Sequence, residues 1–232
     1  MGASYSPNIA KDGLIFYIDA ANPKSYVSGS LITTDLRNST ITGSIDSTVS
    51  FFPNENAGCW AFRPPSNHKI KFDGSFINGL PQATISVWCR VNNFASSPQR
   101  NIAGKVRLSG AGTNELALTA NNNKFDFFCD EPSTLKQVVA TSNKVTGVWY
   151  NVCGVYNGSE LSLYINGDEE GTRVSRTGNL ISSTQPFNLG QESDSVAYDF
   201  DGEISNVMIY NKGITEREIQ QNYNALKGRF GL

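Results

Sequence analysis

The 232-residue chain carries a single histidine, His68, and only two methionines and four cysteines. One histidine leaves Ser/His/Asp or Cys/His catalysis a single residue to run through, and it rules out histidine-rich metal sites. No CxxC spacing links Cys59, Cys89, Cys129 and Cys153, which argues against a zinc ribbon. No run approaches ~18 consecutive apolar residues, so no membrane-spanning helix is expected. Charge of one sign is not in excess: 19 basic residues face 21 acidic ones, for a net −2. A nucleic-acid binder would be basic, so none is expected here. Nine prolines and 21 glycines are ordinary usage, which excludes collagen-like and disordered readings. Met1–Pro7 lacks a basic stretch followed by an apolar one, so no secretory signal is expected. The cysteines sit among apolar and aromatic neighbours and are expected to stay free thiols in a chain folded in a cytoplasm.

What is present is alternation. Ile85, Val87, Cys89 and Val91 alternate with Ser86, Trp88 and Arg90, the two-residue period of a strand. Leu161, Leu163 and Ile165 alternate in the same way with Ser162, Tyr164 and Asn166. Further β-rich runs cover 13–19, 49–52, 69–72, 124–129, 137–141, 148–156 and 202–210. Two Asn-Gly pairs, Asn157-Gly158 and Asn166-Gly167, suit hairpin turns with positive φ. They predict a three-stranded antiparallel meander over 148–175. One helix is predicted, opened by the capping box Thr215-Glu216-Arg217-Glu218. Its apolar stripe is Ile219, Tyr223 and Leu226, and Gly228 is expected to end it. The Asn121-Asn122-Asn123 segment reads as a short polar loop. No linker divides the chain, so residues 1–232 read as one domain.

Several segments together resemble a known family. Residues 83–90, the hairpin from Trp149 to Gly167, Phe187-Asn188-Leu189-Gly190, residues 200–210 and Ile214–Glu218 follow the order of concanavalin A-like, laminin G-like domains. The fold this implies is an all-β, two-sheet antiparallel jelly-roll sandwich with one short C-terminal helix. The ends resemble something narrower. Residues 13–26 and 221–232 are similar to the openings and endings of such domains in structural proteins of tailed, often marine, bacteriophages. The resemblance implies a virion protein that decorates a capsid or an appendage, assembled as a homo-oligomer against other virion proteins. Extracellular laminin G domains carry a late cysteine pair, whereas no cysteine follows Cys153 here.

Candidate chemistry is sparse. Retaining glucanases of this fold resemble one another in a Glu-x-Asp-x-x-Glu strand. Glu192-Ser193-Asp194 could begin one, but Ala197 stands where the last glutamate belongs. Without two carboxylates flanking a bond, glycoside hydrolysis is not expected. Asp168-Glu169-Glu170 reads as a solvated hairpin tip. Relatives of this fold often bind calcium at a loop rim, which makes Asp194 and Asp199 the candidate metal ligands, although calcium takes six to eight oxygens. For a sugar, Tyr198 is the candidate contact, lying in an expected loop. Trp88 and Trp149 are expected in the core or between the sheets. His68 is expected to be an ordinary exposed histidine. The expected function is a non-enzymatic virion protein with glycan-binding capacity; the alternative is a free-standing lectin-like module.

Overall fold

The computed structural model describes residues 8–55, 58–64, 68–94, 100–106, 114–192 and 199–232. Sixteen strands follow in chain order. The first six are β1 (Leu14–Asp19), β2 (Ile32–Thr34), β3 (Thr42–Ile45), β4 (Ser50–Phe52), β5 (Cys59–Phe62) and β6 (Ile70–Phe72). After a 3-10 turn at Gly74–Ile77 come β7 (Ala83–Val91), β8 (Arg100–Val106), β9 (Asn114–Asn121), β10 (Lys124–Phe128) and β11 (Gln137–Val139). The last five are β12 (Trp149–Tyr156), β13 (Glu160–Ile165), β14 (Asp168–Ser175), β15 (Phe187–Leu189) and β16 (Gly202–Tyr210). Helix α1 spans Glu216–Leu226, and a second 3-10 turn follows at Lys227–Phe230.

The strands form two antiparallel sheets. The first runs β14-β13-β12-β7-β16-β5-β4, with β1 also on β16. The long β16 serves both neighbours: its start, Gly202–Ile204, pairs β5, and its later part pairs β1. The second runs β11-β10-β9-β8-β15-β6-β3-β2. Alternate residues from both sheets fill the space between them, including Phe16, Phe62, Phe72, Ile85, Val87, Phe125, Phe187 and Ile209, all at most 1% exposed. Each such side chain contributes about 1.5–3 kcal/mol of burial. This is the expected jelly-roll, and β12, β13 and β14 form the expected meander.

The turns show where local chemistry decides. Asn166 and Gly167 both have positive φ (55° and 90°), so this pair makes the two-residue turn the sequence predicts. At the other Asn-Gly pair only Gly158 is left-handed. Asn157 instead accepts through Oδ1 from the Ser159 and Glu160 amides at 3.0 Å, and that side-chain bond sets a longer loop. The polar segment at 121–123 is in fact a tight hairpin joining β9 to β10, with Asn122 and Asn123 at φ 50° and 59°. Asp168-Glu169-Glu170 is the start of edge strand β14 rather than a free tip; Glu169 binds Arg173 and Glu170 binds Lys144.

The outer face of the first sheet is covered by the C-terminal segment. Thr215 caps α1 by accepting from the Glu218 amide, and Glu218 bonds back to the Thr215 amide at 2.8 Å. Ile219 is buried against Cys153, Met208 and Tyr210, with Leu226 packed beside them. The chain does not stop at Gly228. It continues through the second 3-10 turn to Gly231, which takes the left-handed conformation at φ 74°. Phe230 thereby stacks on Trp88 at 4.0 Å and leans on Trp149 at 4.9 Å. The two tryptophans are buried, but under this strap and not between the sheets. Among the described residues no helix is long and apolar enough to cross a membrane. Thr215→Ala should cost about 1 kcal/mol, read as a lower urea midpoint at unchanged slope.

Candidate functional site

A broad depression lies on the outer face of the second sheet. It forms where β3 pairs β6, with Ser44 opposite Lys71. On these strands Ile45, Ile70 and Phe72 point into the sandwich, so Thr42, Ser44 and Lys71 point out. One wall is the 3-10 turn. Asp73 caps it, accepting from the Ser75 amide at 2.9 Å. Gly74 is required there because a Cβ would lie 2.6 Å from the Gln185 carbonyl and 2.9 Å from Lys105 Cδ. The facing wall is residues 183–186. Asn78 clips it, donating to the Ser183 carbonyl at 3.1 Å and accepting from its amide at 3.2 Å. The enclosed volume is about 690 Å³, within the range of small-ligand sites.

Behind this clip lies a charge pair. Lys105 and Glu115 side chains are both fully buried and 3.0 Å apart. Lys105 also donates to Asn78 Oδ1 and, at 3.0 Å, to the Ser183 carbonyl. One buried ammonium therefore ties β8 to both walls of the groove. Nothing in the local sequence pattern announces this pair, because Lys105 sits within a strand and its partners Glu115, Asn78 and Ser183 come from three other segments.

A family model described as the concanavalin A-like lectin/glucanases superfamily matches residues 65–220. The chain belongs to this superfamily. Its fold recurs in solved structures. The binding domain of Paraclostridial Mosquitocidal Protein 1 is 15% identical with a TM-score of 0.73, over 92% of this chain and 52% of that one. Domain 4 of an extracellular arabinanase from Geobacillus stearothermophilus, solved with arabinotriose, is 14% identical with a TM-score of 0.67, over 92% of this chain and all of that domain. Trypanosoma rangeli sialidase is 14% identical with a TM-score of 0.69, over 98% of this chain and 36% of the enzyme. The chain thus spans about half of the toxin domain and about a third of the sialidase. At these identities the likeness establishes the fold. A search of curated proteins by sequence found no match.

The superfamily's name covers both lectins and glucanases, so the side chains must discriminate. Tyr198 and Asp194 lie outside the described residues. Asp199 is fully buried. Its Oδ1 accepts from Gln191 at 2.6 Å, and Arg100 donates to its backbone carbonyl at 3.1 Å. Burial pushes its carboxyl upward, toward the protonated form. The described residues hold no group of three or more His, Cys, Asp or Glu side chains suited to a metal. A single carboxylate engaged by an amide NH₂ does not suit a cation that takes six to eight oxygens.

Other expectations shift too. His68 is 8% exposed, not free on the surface. Its Nδ1 accepts from the Arg63 amide at 3.0 Å, and burial holds its pKa below the usual value. Trp60, Trp88 and Trp149 are all buried, and no aromatic is among the strongly exposed large apolar side chains of the described residues. All four cysteines are free and buried. Burial pushes the thiols of Cys59, Cys129 and Cys153 up to about 12, so they are inert at neutral pH.

Proposed function

We propose that this chain is a non-catalytic carbohydrate-binding module. The observation that carries the reading is the groove on the second sheet, a depression edged by Thr42, Ser44, Ser75, Asn78 and Thr184. Hydroxyls and a carboxamide offer both donors and acceptors, which matches a polyhydroxylated ligand. Superfamily membership and the full-length likeness to a domain that holds arabinotriose support it. Several of the carboxylates described elsewhere are already engaged. Arg63 and Arg90 hold the buried Glu203, Arg90 also holds Glu55, and Arg173 binds Glu160 and Glu169. A hydrolase needs one acid and one base free to act across a glycosidic bond. The test is a polysaccharide and glycan panel read two ways, by binding and by release of reducing ends. Binding without release is expected. Release by the purified chain would overturn the non-catalytic reading, and no binding across the panel would overturn the carbohydrate reading.

The setting we propose is the virion of a tailed bacteriophage, where the module decorates a capsid or appendage as an oligomer. The resemblance of residues 13–26 and 221–232 supports this. The structure adds that these segments form one unit. Arg229 binds Asp19, Asn222 accepts from the Ala10 amide at 2.7 Å, and Gln221 donates to the Asn8 carbonyl at 2.6 Å. Mass spectrometry of purified particles should find the chain in fixed stoichiometry to the capsid protein. Its absence from particles would leave a free lectin-like module.

A further inference from the structure

The central depression is not isolated. A second, of about 250 Å³, shares Thr42, Asp73 and Ser75 with it. A third, of about 120 Å³, shares Ser44 and Lys71. The three line up along β3, from Ile41 in one end depression to Asp46 in the other. Five residue steps at the strand rise make this roughly 16 Å. An elongated run of depressions suits a stretch of a linear chain, whereas a single sugar needs only one cup.

Its charges alternate. Along β6 and just past it, Lys71 and then Asp73 point outward, and Asp46 stands at the other end beside Lys69. The two acids already have work. Asp73 caps the 3-10 turn, and Asp46 accepts from the Thr48 amide at 3.0 Å and its hydroxyl at 2.6 Å, which holds its carboxyl below the usual range. Lys71, on the wall shared by the central and third depressions, is exposed, and its ammonium has no bond or ion pair among the described residues. The middle of the channel therefore attracts a negative group and Asp73 toward one end repels one, while at the other end Lys69 offsets Asp46.

We propose, building on the carbohydrate-binding reading, that this channel binds a linear acidic polysaccharide, one carboxylate-bearing ring seated on Lys71 with an uncharged ring toward Asp73. Affinity comes from hydrogen bonds to ring hydroxyls, since among the described residues the aromatics lining the channel, Phe72 and Phe76, are buried or only partly exposed and pack on core rings. Selection for an acidic ring followed by a neutral one comes from the Lys71–Asp73 order. A polymer acidic at every ring would bring a carboxylate to Asp73 and bind less well.

Calorimetry on the full chain tests this with five probes. They are a hyaluronan hexasaccharide, a gellan oligosaccharide, the carboxyl-reduced form of each, and a hexagalacturonate. At least one alternating acidic probe should bind, and its reduced form should bind about tenfold more weakly, the worth of one charge-assisted hydrogen bond. Lys71→Met should erase that difference, lowering affinity for the acidic probe to that of the reduced one. Lys71→Arg should retain most of it. Hexagalacturonate should bind more weakly than the alternating probe, and Asp73→Asn should narrow that gap. Equal binding of acidic and reduced probes, or an unchanged affinity in Lys71→Met, would overturn the proposal while leaving carbohydrate binding intact. No binding to either alternating acidic probe, with neutral glycans of the panel bound, overturns the proposal alone. No binding to any glycan fails the wider reading as well.

Discussion

Arg229→Ala is expected to destabilise the fold by about 3–5 kcal/mol. The Arg229 and Asp19 side chains are only 16% and 10% exposed. One guanidinium nitrogen lies 2.9 Å from both Asp19 oxygens, and the other donates to the Gly58 carbonyl at 3.1 Å. Removing the guanidinium strands a mostly desolvated carboxylate on β1 and leaves a buried carbonyl without this donor. Only the Tyr17 hydroxyl and the Ala21 amide then remain on Asp19. It also frees the strap that carries Phe230 over Trp88. Urea unfolding gives the loss, and quenched or shifted tryptophan fluorescence in the native state reports whether the strap has lifted. Arg229→Lys keeps the charge but not the fork, so it should recover only part of the loss. If Arg229→Ala costs less than about 1 kcal/mol, the range of exposed ion pairs, the segment is held by Phe230 packing alone.

Lys105→Met should be comparably severe, about 3–5 kcal/mol, because it leaves Glu115 buried and charged with neither oxygen hydrogen-bonded to protein. Removing both charges is a different matter. Lys105→Met combined with Glu115→Leu should recover most of the stability, since a buried ion pair is roughly matched by apolar side chains of similar volume. The double variant still lacks the bond from Nζ to the Ser183 carbonyl. It should therefore fold with near-native stability yet bind carbohydrate less well than the native chain. Equal stability of the single and double variants would show that Lys105 matters only through its bonds to Asn78 and Ser183.

The sandwich was legible because each strand carries its own signal. Alternation marked β7 and β13, a turn with two positive-φ residues marked the β13–β14 hairpin, and Thr215 with Glu218 marked the start of α1. What a strand faces is another matter. Trp88 alternates with Val87 and Cys89, so it must leave the core, yet the sequence around it does not show that Phe230, far along the chain, comes back to cover it. Gly228 marked the end of α1, which stops at Leu226, but the sequence did not show that Phe230 carries the chain on through a 3-10 turn to Gly231. His68 looked exposed because its neighbours are polar, yet it is buried with its Nδ1 accepting from the Arg63 amide. The groove was not legible at all. It is assembled from residues near 42, 71–78 and 183–186, which meet only because β3, β6 and β15 are adjacent in the second sheet. Serines, threonines and one lysine scattered over that distance carry no spacing that a motif could record.

The latch between the two ends has a further consequence. Residues 8–10, α1 and the strap all lie on the outer face of the first sheet, while the groove opens on the outer face of the second. A support attached near either end therefore meets one side of the sandwich, and the groove looks away from it. A channel gripping through hydroxyls and one lysine, as proposed, would hold each ligand chain weakly. Copies fixed side by side with their grooves outward would engage a long polymer at many points, and such avidity raises binding by about 10²–10⁴ over a single contact.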